Sequence, residues 1–239
     1  MKTLYRSTRE TASHTMTSSQ AVLQGLTPDG GLFVPVTLPT ANFDFDQLAT
    51  MSYQEVAYEV LKLFFTDYTA DELHACIDAA YGDQFDDPQI APVTKHGQQY
   101  YLELFHGPTI AFKDLALQIL PHLMTTAVKK NHLQAEVVIL AATSGDTGKA
   151  AMAGFANVDQ TRIIVFYPKD GVSAIQKQQM VTQTGANTSV VAINGNFDEA
   201  QTTVKKLLND HQLHAELAAH QFQFSSALSL IHISEPTRP

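Results

Sequence analysis

The sequence predicts an α/β protein, with a parallel sheet flanked by helices behind a mostly helical N-terminal module. Three observations predict it. From residue 135 onward, short Val- and Ile-rich runs alternate with helix-forming stretches, the pattern of a parallel sheet covered on both faces. Before residue 90, apolar residues recur mainly at helical spacing. A chain of 239 residues with 44% hydrophobic content can bury a substantial core.

The elements follow in order. After a short amino-terminal strand, "SSQAVLQGLTPDGGLFVP" reads as a capped helix, a loop centred on Pro-Asp-Gly-Gly turn chemistry, and an extended run. Residues 53–65, "YQEVAYEVLKLFF", place their apolar side chains at helical spacing. Thr69 predicts an N-cap for the helix beginning "ADEL", and Glu72 closes a capping box with it. Residues 1–90 therefore form the N-terminal module. "PVTKHGQQYYLELF" predicts a hairpin turning at His96-Gly97, because extended residues flank that dipeptide. Residues 91–227 then read as a partial α/β domain. Its strands are "AEVVILAAT", "TRIIVFYP" and "TSVVAIN"; its helices are "TGKAAMAGFAN", "SAIQKQQMVTQTG" and "FDEAQTTVKKLLNDH". Right-handed crossovers should connect them.

Composition narrows the function. The formal net charge is -9 with only 16% charged residues, which disfavours a nucleic-acid or anionic-membrane surface and favours small-molecule chemistry. The single cysteine, Cys76, lies in a helical stretch and reads as core packing, since alone it makes neither an internal disulfide nor a metal site. No apolar run reaches the length of a membrane span, and the first ten residues lack the apolar stretch of a secretory signal, so a cytoplasmic location is expected.

Two stretches carry chemistry. In "FHGPTIAFKDLALQIL", residues 105–120, Lys113 sits where a Gly-Pro-Thr turn gives way to an apolar helix. A lysine in a first helical turn is usually solvated. Here Ile110, Ala111 and Phe112 precede it, and both burial and a helix amino terminus disfavour the ammonium form, which is how a lysine becomes a nucleophile toward an aldehyde. His106 reads as a turn residue rather than an acid or base. In "LAATSGDTGKAA", residues 140–151, a strand, a small-residue turn and a helix predict free amides and a positive helix end aimed at an anion. An ordinary strand-to-helix turn, capped by Ser144 or Asp146, also accounts for that stretch taken alone. A Walker motif fails at Thr143 and Ala150, and Gly145 with Gly148 does not complete a dinucleotide fingerprint.

These stretches, together with "FYPKDGVSAIQKQQM", "NGNFDEAQ" and "AVLQGLTPDGGLFVP", resemble the threonine synthase family over residues 3 to 227. That family comprises pyridoxal-phosphate enzymes of fold type II, the fold of tryptophan synthase β chains and of serine/threonine dehydratases. The resemblance implies conversion of O-phospho-L-homoserine and water to L-threonine and phosphate, the last step of threonine biosynthesis. It implies that Lys113 holds pyridoxal 5'-phosphate as a Schiff base and moves protons on the substrate, and that Phe112 packs beside the cofactor ring. Thr143, Ser144, Gly145, Asp146, Thr147 and Gly148 would receive substrate anionic groups. Asp146 would also approach the cofactor, where many relatives of the fold type have Asn; the carboxylate is either protonated or a helix cap. Lys169 would attract the substrate phosphate or remain solvated. A dehydratase or a cysteine-synthase-like lyase is the alternative, disfavoured by the N-terminal module and by "SGDTG". A non-catalytic anion-binding relative is the third reading.

The tail departs from the pattern. Leu228 to Arg238, "LSLIHISEPTR", is also the translation of a sequence resembling a transposon-end adapter used in preparing sequencing libraries, and residues 228–239 are expected to be non-native read-through. Resequencing the locus across codon 228 checks this: genomic DNA encoding the same residues refutes it. The resemblance implies that the cradle for the cofactor phosphate and the partner of the pyridine nitrogen lie in a second half of the family fold, and that apolar surface which this half would cover stays exposed here.

Overall fold

A computed structural model describes residues 2–9 and 14–226; the tail expectation for residues 228–239 lies outside them. The chain begins with β1 (Tyr5–Ser7), α1 (Ser18–Gln24) and β2 (Phe33–Pro35), and β1 pairs antiparallel with β2. Helices α2 (Phe45–Leu48), α3 (Tyr53–Phe64) and α4 (Ala70–Ala80) follow. Their starts are written locally. Thr17 caps α1, Ser52 caps α3 and Thr69 caps α4, each in a complete capping box, and Glu72 closes the box on Thr69 as its spacing predicts. Cys76 is buried in α4, 3.4 Å from Thr126 Oγ1.

Strands β3 (Val93–His96) and β4 (Gln99–Leu102) form the expected hairpin, but His96 pairs with Gln99, so the two-residue loop is Gly97-Gln98. Gly97 takes φ +63, which a side chain disfavours, and this moves the turn one residue beyond His96-Gly97. The helix expected after Lys113 is divided into α5 (Asp114–Leu117) and α6 (Leu120–Lys130). Gln118 and Ile119 between them keep helical dihedrals. Pro121 has no N–H to give the Leu117 carbonyl, so the hydrogen-bond ladder breaks while the backbone continues. Gly154 packs against that same carbonyl, where a Cβ would collide with the oxygen.

The central sheet comprises β5 (Glu136–Ala142), β6 (Thr161–Pro168), β7 (Thr188–Ile193) and β8 (Phe222–Ser226), all parallel, in the order β7-β6-β5-β8. The connections contain α7 (Asp146–Phe155), α8 (Ala174–Val181), and the pair α9 (Phe197–Leu208) and α10 (His211–Ala219). Alternation along β5 divides the core. Val137, Ile139 and Ala141 join the large cluster with α1, α4, α6 and α7, whereas Val138 and Leu140 pack with Val204 of α9 and partly buried Phe222 and Phe224 of β8. The N-terminal module is part of this packing: Tyr68 Oη donates to the Leu123 carbonyl at 2.9 Å, and a Cβ on Gly25 would stand 2.7 Å from Ser226 N.

The chain runs from β5 outward to β6 and β7, then returns to place β8 on the other side of β5. The carboxyl end of β5 is therefore the switch point of the sheet, where open α/β sheets bind ligands. Thr143 is the first residue past it.

Candidate active site

The turn that presents Lys113 is built around Asp114. Its buried carboxylate accepts from Thr109 N at 2.8 Å and from Thr109 Oγ1 at 2.6 Å. A Cβ on Gly107 would come within 2.6 Å of that side chain, so the tight turn requires glycine there. Burial raises the Asp114 carboxyl above its ordinary range, opposed by the Thr109 donors. Lys113 is the N-cap of α5, in helical backbone, and its amine lies 4.8 Å from the centroid of the Phe112 ring. The apolar shell expected around it is incomplete. Ala111 is buried, but Ile110 is 69% exposed and Phe112 43% exposed, because a positive φ of +60 at Ile110 turns the loop outward. Val93, Tyr100, Leu102 and Phe105 are exposed in the adjoining hairpin segment.

The second stretch closes on itself more than expected. Thr143 is buried, and its Oγ1 accepts from both Gly145 N and Gly148 N at 2.9 Å, so the threonine shapes the turn and those two amides are already engaged. Ser144, Asp146 and Thr147 remain on the accessible side, and Asp146 and Thr147 contribute first-turn amides that no carbonyl within a helix can satisfy. Gly145 has φ +142 and lies under Gln176, and a Cβ on Gly148 would stand 2.5 Å from Thr143 Cγ2 and 2.7 Å from Val165 Cγ1. Neither glycine can carry a side chain without moving the turn.

Asp146 is not the helix cap. Gly145 is the N-cap of α7, which has no side-chain cap bond. Asp146 Oδ1 accepts from Gln176 Nε2 at 3.0 Å and lies 3.4 Å from Lys149 Nζ. The Gln176 bond first, then Lys149 and Lys113, hold its carboxyl below the ordinary range, overcoming partial burial.

One cavity of about 890 Å³ collects these groups: Lys113, Thr143, Ser144, Asp146 and Thr147 all line it. Phe112, Gly145 and Gly148 do not, and Lys169 is exposed on the turn after β6, its amide bonded to the Ile193 carbonyl at 3.0 Å. The cavity has walls that sequence reasoning missed. Arg9, Asp29 and Gly30 enter from the N-terminal module, Gln176 from α8, and Phe197, Gln201 and Lys205 from α9. "TPDGG" and "NGNFDEAQ" were the available signals, but neither states which cavity its residues reach. A second cavity, of about 700 Å³ between α1, α10 and β8, contains none of the predicted site residues. His106 is placed structurally: its ring bridges Asp86 Oδ1 at 2.5 Å and Glu103 Oε2 at 2.9 Å, which raise its pKa, the Glu103 bond contributing most.

Residues 89–225 match the family of pyridoxal-phosphate dependent enzymes, and residues 4–81 match the threonine synthase N terminus. A threonine synthase of Eremothecium gossypii is 35% identical over 227 residues, covering 89% of this chain and 44% of the relative. The human protein named threonine synthase-like 1 is 40% identical over 203 residues, covering 80% of this chain and 27% of the relative. The crystal structure of a pyridoxal-phosphate-bound threonine synthase from Brucella melitensis superposes with a TM-score of 0.81 at 35% identity, covering 95% of this chain and 48% of that one. The chain thus spans less than half the length of each of these proteins.

Proposed function

The chain belongs to the family of pyridoxal-phosphate dependent enzymes, and from that premise we propose that its cavity serves a threonine synthase reaction, converting O-phospho-L-homoserine and water to L-threonine and phosphate. One observation carries the reading. The two matched segments meet in a single cavity: Lys113 and the Thr143–Thr147 turn come from one, Arg9 and the Pro28–Gly30 turn from the other. A lyase without the N-terminal module would have a different wall there.

The residues present fit the carbonyl end of the cofactor. Lys113 would supply the amine for covalent attachment, and the Asp146 carboxylate that would repel a phenolic oxygen is partly neutralised by Lys149 and by the Gln176 amide. When bound, pyridoxal phosphate supplies the electron sink. The chain's own groups do the rest. The Lys113 amine takes and returns protons at the substrate α and β carbons. Ser144 and Thr147, with the first-turn amides of α7, orient the substrate carboxylate, whose charge the positive helix end favours. Thr143, Gly145 and Gly148 keep that turn in shape.

The likeness to threonine synthase-like 1 favours a second reading, a lyase of the same family acting on a related substrate. Supplying pyridoxal phosphate and O-phospho-L-homoserine to the whole protein encoded at the locus separates the two. Equal yields of inorganic phosphate and threonine, both lost in Lys113→Ala, support threonine synthase; phosphate without threonine supports the second reading; no phosphate release removes threonine synthase.

A further inference from the structure

We propose that Arg9 of the N-terminal module and Lys205 of α9 together form the subsite for the phosphate group of the substrate, in place of the expected Lys169. The assignment rests on the reading of the cavity as the site for a phosphorylated amino acid, and it names the groups that recognise the phosphorylated end.

Arg9 is pinned. One guanidinium nitrogen, Nη1, donates to the Asp29 carbonyl at 3.0 Å, which fixes the planar fork against the Pro28–Gly30 turn. The Asp29 carboxylate attracts Arg9 by charge, but its hydrogen bonds come from other donors. That carboxylate accepts from Ser7 Oγ at 2.8 Å and 2.9 Å, from Thr27 Oγ1 and from Gly31 N at 3.0 Å, and these bonds hold it in place beside the cavity. Gly31 makes the arrangement possible, since a Cβ there would stand 2.5 Å from Ser7 Oγ. The module thus presents an arginine at the cavity wall, and arginine is the side chain suited to two-point recognition of phosphate.

Lys205 comes from the opposite end of the chain. Phe197, Gln201, Lys205 and Asn209 recur every four residues, so they form one stripe on α9 and its C-cap, and all four line the cavity. Lys205 and Lys206 both lie in the last turn, where any cation is favoured by the helix carboxyl end, but only Lys205 is on the cavity stripe. Among the described residues, the two carboxylates of the lining are each engaged, Asp29 as above and Asp146 by Gln176 and Lys149. Against them stand Arg9 and Lys205, a pair suited to a dianion rather than to a single carboxylate.

Inorganic phosphate is the probe, titrated into the chain at constant ionic strength and followed by phosphorus NMR, with acetate as the monoanionic comparison. Phosphate should bind at least tenfold more tightly than acetate. Arg9→Ala and Lys205→Gln should each weaken phosphate binding by about tenfold, Arg9→Lys by less, and Lys206→Gln should change nothing. Lys205 is exposed on the last helical turn, so Lys205→Gln tests the subsite without endangering the fold. Equal affinity for the two anions, or equal losses in Lys205→Gln and Lys206→Gln, overturns the proposal. Failure of the catalytic reading registers separately, as loss of threonine formation while phosphate binding at Arg9 and Lys205 persists.

Discussion

Gln176 Nε2 donates to Asp146 Oδ1 at 3.0 Å while Gln176 Oε1 accepts from Ser173 N at 3.1 Å, so one amide joins the start of α8 to the first turn of α7. Gln176→Ala removes both bonds. The lost capping box should cost about 1 kcal/mol in urea denaturation. The lost donor should also raise the titration midpoint of Asp146, read by carboxyl carbon NMR, toward that of an ordinary aspartate. Gln176→Glu should raise it further, since a second carboxylate then faces the first. An unchanged midpoint in both variants would show that the bond does not hold the Asp146 charge.

Thr143 holds the turn by accepting two amides through one oxygen. Thr143→Val keeps the shape and leaves Gly145 N and Gly148 N without that acceptor in a buried place, which should cost about 1–3 kcal/mol. Thr143→Ser should recover most of it. Gly148→Ala should cost about 1–3 kcal/mol by overpacking against Thr143 and Val165. Denaturation midpoints check all three, and a neutral Thr143→Val would mean that the amides find other partners.

His106 predicts a pH dependence of the loop that carries Lys113. Asp86 and Glu103 raise its folded pKa above the unfolded value of about 6.5, so protonation and folding support each other. The stabilisation is fully present below about pH 6.5 and is lost as pH rises through the raised folded value. His106→Gln should flatten this part of the stability curve above about pH 6.5. A parent curve that is already flat there would contradict the assignment.

The regular elements were legible where their signals are local. The box at Thr69 with Glu72 lies within four residues, and β6 begins and ends where "TRIIVFYP" does. Strand β8 was not read, although Phe222–Ser225 alternates apolar and polar, because the run is short and its partner β5 lies some eighty residues away in the chain. Lys113 and the Thr143–Gly148 turn were recognisable as chemistry. Arg9 and Lys205 were not, since only the tertiary arrangement brings one residue of the module to the same cavity as one turn of α9. The exposure of Ile110 and Phe112 was hidden for a related reason: an apolar residue type states a preference for burial, not the presence of something to cover it.

The central claim is that Lys113 is the cofactor lysine of this cavity, and one measurement tests it most directly. The chain is mixed with equimolar pyridoxal phosphate, reduced with borohydride, and digested for peptide mass analysis. The account predicts one dominant pyridoxyl adduct, on the peptide containing Lys113, displaced by nothing on Lys169 or Lys205 and absent in Lys113→Ala. Adducts spread over the surface lysines, with none enriched at Lys113, would contradict it.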